Sequence, residues 1–243
     1  MSSSKKLLSI VIPVYNEEKT IEVVLDRLNS LTIPNVDKEI LVVDDGSKDK
    51  SKAIIEKKKK QIKNLKFIIH EKNKGKGAAV ETGLAQASGD ILMVQDADLE
   101  YDVTDIPRLV EPILKHRADV VYGTRLRRMP HLNNEERTGR FMLHYWGNRS
   151  LSLATSILYG AWITDMETCY KLFTKEAFSG IHLRSRSFDF EPEITAKLLK
   201  KGYKIYEIDI KTKPRGYEEG KKLNTFTDGP KALWTLIKYR FTN

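Results

Sequence analysis

Between Gly89 and Glu100 an apolar run, Ile91-Leu92-Met93-Val94, leads into Gln95-Asp96-Ala97-Asp98-Leu99-Glu100, with an acid at every second position. Alternate side chains of an extended strand share a face. Asp96, Asp98 and Glu100 are therefore predicted to set three carboxylates on one side of a strand end. Like charges so placed repel one another, whereas three hard oxygen donors suit Mg²⁺ or Mn²⁺ held against a diphosphate. An Asp-x-Asp triplet arises readily by chance in a chain of this length. Its position gives it weight, because open α/β sheets bind ligands beyond the carboxyl ends of their strands.

Two further strand ends carry residues suited to the same ligand: Pro13-Val14-Tyr15-Asn16-Glu17 and Asp44-Asp45-Gly46-Ser47. Together the three ends describe a nucleotide pocket. Tyr15 offers a ring to lie beside a base, Asp44 can accept hydrogen bonds from base or ribose, and Glu17 can do so from a hydroxyl. Asn73-Lys74-Gly75-Lys76-Gly77 reads as a phosphate cradle, since glycines let backbone amides approach an anion and a helix follows. It lacks the Gly-Lys-Ser/Thr ending of a P-loop, and no Gly-x-Gly-x-x-Gly follows the first strand, so neither ATP hydrolysis nor hydride transfer is implied. The five histidines form no pair at ligand spacing, which argues against zinc. Cys169, the single cysteine, excludes an internal disulfide and reads as a small buried apolar residue.

The elements that must hold these residues alternate along the chain. Leu7 to Val14 reads as a strand, followed by a helix with apolar Ile21, Val24, Leu25 and Leu28, which Asn16 is predicted to cap. Strands are predicted at 39–43, 65–69 and 119–123, with a further strand from the apolar run at Ile91 carrying Asp96, and helices at 51–62, 74–87 and 105–115. Beyond Arg125 a long helix is predicted over 141–159, a strand over 168–173, a helix over 191–201 and a strand over 204–210. Strands and helices alternating at this spacing imply an α/β fold, with a mostly parallel central sheet and helices on both faces. The expected organisation is one domain over residues 1–225, followed by a C-terminal amphipathic helix over 226–243, packed or membrane-facing.

At 243 residues and 40% apolar content the chain can bury a substantial core. Lys and Arg number 42 against 33 acids, a formal charge of +9, which favours an anionic partner. The basic residues are scattered over many elements rather than interleaved with aromatics, so nucleic acid is not the expected one. No apolar run reaches the length of a spanning helix and none marks a signal peptide at the start. An intracellular protein, soluble or peripheral on the cytoplasmic face of a membrane, is expected.

Ile-Pro-Val-Tyr-Asn-Glu, Val-Asp-Asp-Gly-Ser, Asn-Lys-Gly-Lys-Gly and Asp-Ala-Asp, in this order, resemble a family 2 glycosyltransferase of the GT-A (Rossmann-like) fold. Tyr122-Gly123-Thr124-Arg125, Arg140, Asp165 to Phe173 and Ser187-Phe188-Asp189-Phe190-Glu191 resemble its polyprenyl-phosphate branch, the dolichol-phosphate mannose and glucose synthases. The resemblance covers about residues 8 to 225. It implies transfer of a hexose from GDP-mannose or UDP-glucose to dolichyl or polyprenyl phosphate, with inversion. It implies that Pro13, Tyr15, Glu17, Asp44 and Lys74 bind the nucleotide sugar, that Asp96 and Ala97 contact it, and that Asp98 and Glu100 hold the metal, with Asp98 catalytic. Arg125, Arg140, Arg215 and Lys222 match positions that bind acceptor or donor phosphate, where Arg suits forked contacts.

A phosphate acceptor is already largely anionic at neutral pH and needs little help from a base. Asp189 matches the acid that related enzymes with hydroxyl acceptors use as base, which keeps open a soluble sugar or polysaccharide acceptor. The chain departs from the branch at Thr168-Cys169-Tyr170-Lys171, where Ser-Gly-Phe-Arg is usual, and at Glu100, where the mannose synthases tend to have Gln. With an acceptor in lipid, 141–159 or the tail around Trp234 would dock on an anionic bilayer, each nearby basic residue adding up to about 1 kcal/mol.

Overall fold

The computed structural model describes residues 5–126, 139–213 and 225–242. Strand β1 (Lys6–Val14) is buried from Leu8 to Val14, because it pairs in parallel with β2 (Val36–Asp44) on one side and β4 (Ile91–Val94) on the other. A strand covered on both faces reads as a nearly unbroken apolar run, as this one does. Parallel β3 (Leu65–Ile69) extends the sheet beyond β2. On the far side, β6 (Lys171–Thr174) lies antiparallel between β4 and β5 (Val120–Thr124), and β7 (Ile205–Asp209) pairs in parallel with β5. The order is β3-β2-β1-β4-β6-β5-β7. The mostly parallel sheet expected from the sequence is present, with one reversed strand in its middle.

Helices α1 (Ile21–Ser30), α2 (Ser51–Lys59), α3 (Lys76–Gln86) and α4 (Ile106–Leu114) follow β1 to β4 in turn. In α1 the residues at helical spacing, Ile21, Val24, Leu25 and Leu28, are the buried ones. Asn16 does not cap it. The helix begins after Thr20, and the Asn16 side chain instead accepts the Lys48 N–H at 2.8 Å, tying the loop after β1 to the loop after β2. At the opposite end of the sheet the Glu39 carboxylate binds Ser9 Oγ (2.5 Å), Ser88 N (2.7 Å) and Lys66 Nζ (2.7 Å). Burial alone would raise the Glu39 pKa, but these hydrogen bonds outweigh it and bring it down to about 2.

After β5 come α5 (Gly139–Tyr159), a short α6 (Lys175–Phe178), α7 (Phe190–Lys200) and α8 (Thr225–Phe241). Helix α8 packs against α5 and α7: Leu236 and Tyr239 are buried, and Tyr159 donates its hydroxyl to the Leu236 carbonyl at 2.7 Å. It starts one residue before the expected tail and carries Pro230 within its first turns.

Candidate active site

At the carboxyl ends of β1, β2 and β4 lies a cavity of about 340 Å³. Pro13, Tyr15 and Glu17 line it from the loop after β1, and Asp96, Ala97, Asp98 and Glu100 from the loop after β4. Across the opening stand Arg125 after β5, Glu167 and Cys169 before β6, and Phe188 and Glu191 at the start of α7.

The three acids meet the cavity by a different route from the one predicted. Strand β4 ends at Val94, and residues 95–100 form turns rather than extended chain, so no strand alternation places the carboxylates. The turn is closed locally, with Asp98 Oδ1 accepting the Glu100 N–H at 3.0 Å. Asp98 and Glu100 supply hard oxygen donors that fit a Mg²⁺ or Mn²⁺ ion. Among the described residues, however, no group of three acids, histidines or cysteines converges as a complete metal cage. Such a site fits an ion shared with a diphosphate, which is how Mg²⁺ is commonly held.

The glycine loop also works differently. Lys74 N and Gly75 N donate to the Asp45 carboxylate at 2.9 and 2.8 Å, and Gly77 N donates to the Arg186 carbonyl at 3.0 Å. These amides are committed to protein, so the expected phosphate cradle is a brace. Its glycines answer to close packing: a Cβ on Gly75 would come within 2.0 Å of Arg186 O, and one on Gly77 within 2.2 Å of Ser185 O. Gly75 also adopts φ +96°, which costs a residue with a Cβ more. Asp45 is held in turn by His70 Nδ1 at 2.7 Å. Lys74 itself is exposed and absent from the cavity wall, where Lys76 stands instead.

Lys76 was not singled out by sequence reasoning, and its Nζ pairs with Asp96 at 2.6 Å and approaches Glu191 at 3.9 Å. The rings of Phe188 and Phe190 lie 5.6 and 5.5 Å from that ammonium. Burial would push the Asp96 carboxyl up, yet the Lys76 charge and hydrogen bond hold it below its ordinary value. Behind them Lys171, fully buried, meets Glu191 at 2.5 Å and the Met166 carbonyl at 2.8 Å. Burial, only partly opposed by Lys171 and Lys76, raises the Glu191 pKa. Arg125 grips the buried Asp165 in a fork, Nε to Oδ2 and Nη2 to Oδ1 both at 2.8 Å. Asp165 thus takes two of the five guanidinium donors.

Asp44, expected to touch the nucleoside, is buried and does not line the cavity. Its Oδ2 accepts Ser47 N at 3.2 Å, while its buried Oδ1 has no hydrogen-bond partner among the described residues, an acceptor left for an incoming N–H or O–H. Asp189, expected as a base, sits at the start of α7 with Oδ1 accepting the Ser187 N–H at 3.1 Å. Glu191, two residues on, lines the cavity and Asp189 does not. The side chain of Arg140, and Arg215 and Lys222 altogether, lie outside the described residues.

The model of the family described as "Glycosyl transferase family 2" matches residues 9–181, more than half of the chain. The chain belongs to that family. Its relatives include dolichyl-phosphate glycosyltransferases. The family 2 chain is 32% identical to the UDP-N-acetylglucosamine–dolichyl-phosphate N-acetylglucosaminyltransferase of Methanococcus voltae, over 96% of this chain and 95% of that one. It is 29% identical to the human dolichyl-phosphate beta-glucosyltransferase, covering 82% of this chain and 65% of the human protein. Among solved structures, glucosyl-3-phosphoglycerate synthase of Mycobacterium tuberculosis, bound to Mn²⁺, UDP and phosphoglyceric acid, superposes with a TM-score of 0.71 at 20% identity, over 98% of this chain and 80% of that one. That likeness establishes a shared GT-A-like fold.

Proposed function

We propose that this family 2 glycosyltransferase moves a sugar from a nucleoside-diphosphate sugar to a polyprenyl phosphate, with inversion at the anomeric carbon. The observation that carries this reading is one cavity with two kinds of wall: carboxylates suited to a cation and diphosphate on the β4 side, and opposite them Arg125, whose guanidinium N–H donors not taken by Asp165 suit a second phosphate. The lipid-phosphate relatives support the acceptor, and the N-acetylglucosaminyl relative widens the donor beyond mannose and glucose. In the proposed reaction an acceptor phosphate oxygen attacks the anomeric carbon as the bond to the diphosphate breaks, and the nucleoside diphosphate departs. A divalent cation held by Asp98 and Glu100 would supply charge neutralisation for that leaving group. Tyr15, Glu17 and Asp44 bind the nucleoside, and Lys76 holds Asp96 in place beside the donor.

No helix among the described residues is long and apolar enough to cross a membrane. Along α5 the exposed Leu143, Trp146, Leu153 and Ile157 recur at helical spacing, and exposed Trp162 follows. All three tryptophans of the chain are at least half exposed, Trp234 on α8 at 65%. Helix α8, which exposes Lys231 and Arg240 as well as Trp234, suits an anionic bilayer surface, where the lipid acceptor resides.

The test is purified protein with Mn²⁺ or Mg²⁺, a panel of UDP- and GDP-sugars including UDP-N-acetylglucosamine, and short polyprenyl phosphates. Transfer to the lipid phosphate that is lost in Asp98→Ala is the expected result. Transfer only to sugar hydroxyls, abolished by Asp189→Asn, would overturn the acceptor assignment.

A further inference from the structure

The cavity floor holds a ledger of charges that does not balance. Three acids have a cation in contact: Asp96 with Lys76 at 2.6 Å, Glu191 with Lys171 at 2.5 Å, and Asp165 with Arg125 at 2.8 Å. Glu167 is another acid lining the cavity, and among the described residues no cation forms an ion pair with it. Its Oε1 is buried and has no hydrogen-bond partner there. A carboxylate left so would be costly, since a buried charge needs a partner or must neutralise.

We propose that Glu167 is an acceptor-binding residue whose carboxyl, in its protonated form, donates a hydrogen bond to the acceptor phosphate beside Arg125, so that its deprotonation weakens acceptor binding. The inference rests on the phosphate-acceptor reading above. The groups facing Glu167 come from every neighbouring element: Glu191 on α7, Lys171 on β6, Arg125 after β5 and Asp165 in its own loop. Burial, then the Glu191 charge, pushes its carboxyl up to about 7, against the opposing pull of Lys171 and Arg125. The group therefore changes charge within the physiological range. Ionised, it would face a phosphate with like charge; protonated, it offers the O–H that an anionic oxygen accepts. Sequence reasoning passed over Glu167, although it lies within the Asp165 to Phe173 segment, because nothing in the local sequence shows that its carboxyl is buried without a partner.

The test compares wild type, Glu167→Gln and Glu167→Ala in the metal-loaded enzyme, reading KM for a short polyprenyl phosphate from pH 6 to pH 8. A group titrating near 7 goes from about nine-tenths protonated to about one-tenth over that span. The wild-type KM, divided by that of Glu167→Gln, should rise about tenfold, while the acceptor's own titration cancels in the ratio. Glu167→Gln keeps an N–H donor and cannot ionise; Glu167→Ala should show a raised KM at every pH. Calorimetry in buffers of differing ionisation enthalpy gives a second readout. Acceptor binding at pH 7 should draw about half a proton more into wild type than into Glu167→Gln. A ratio flat with pH while both proteins transfer sugar to the lipid phosphate overturns the role of Glu167 and leaves the acceptor assignment standing. If all three proteins bind nucleoside diphosphate yet none binds or uses the lipid phosphate, the acceptor assignment falls, and this inference with it.

Discussion

Replacing Lys171 with methionine keeps the length of the side chain and deletes its charge. The ammonium is fully buried and meets three acceptors, Glu191 at 2.5 Å, Met166 O at 2.8 Å and Thr168 O, with the Tyr122 ring 4.8 Å away. In Lys171→Met the Glu191 carboxylate keeps only Lys76, at 3.9 Å, and two carbonyls lose their donor. Removing one member of a buried pair costs about 3–5 kcal/mol, because the remaining charge is left uncompensated. Glu191 limits that loss by taking up a proton, which burial already favours. The expected destabilisation at pH 7.5 is about 4 kcal/mol, or about 8–16 °C in Tm for a domain of this size. Urea unfolding followed by circular dichroism measures it. The double variant Lys171→Met/Glu191→Gln should recover part of the loss, since it removes the stranded charge. A single variant costing under about 1 kcal/mol, or a double variant no more stable than the single, would refute the view that this pair sustains the cavity floor.

Two other expectations follow from the loops and the sheet. Gly77→Ala sets a Cβ 2.2 Å from the Ser185 carbonyl oxygen, so one backbone must move; nucleotide affinity should fall and the chain should lose about 1–3 kcal/mol, read by titration calorimetry and thermal melts. Glu39 has its folded pKa depressed to about 2 from an ordinary 4.5, so its contribution to stability is complete above about pH 4.5 and is lost as pH falls through 2. The stability gap between wild type and Glu39→Gln, followed by chemical denaturation, should therefore shrink on acidification rather than grow.

Much of the sheet was legible because its inner strands β1, β2 and β4 are buried over long stretches and read as apolar runs, while the half-exposed edge strand β3 keeps apolar Leu65, Phe67, Ile68 and Ile69. The predicted strand at 65–69 has the bounds of β3, and α1 buries the four residues its spacing named. What failed did so where side chains serve tertiary partners. Asp96, Asp98 and Glu100 reach the cavity, but from a bend, because β4 ends with its apolar run at Val94, before the first of the three acids. The strand predicted to start at Thr168 begins only at Lys171, since residues 166–168 bend to bring carbonyls onto the buried ammonium. Gly75 and Gly77 looked like anion-binding glycines and serve the close approach of residues 185–186, a long-range contact that no local spacing records. Lys76 and Glu191 were overlooked for the same reason. Their roles depend on a pairing across more than a hundred residues, whereas Lys74 and Asp189 carry the same charges nearby in sequence and lie off the cavity wall.

The reversed strand β6 has a bearing on biogenesis. Among the described residues it alone bridges β4 and β5, and it follows the long helix α5 in the chain. A growing polypeptide that has released only its first 170 residues therefore displays β4 with an unpaired edge, four apolar residues open to any passing strand. Contacts this distant in sequence form late. During synthesis this N-terminal part of the molecule must then wait, vulnerable to misassembly, until the central gap is filled. Holdase chaperones would find their substrate in that interval, and a ribosome stall just before Lys171 would prolong it.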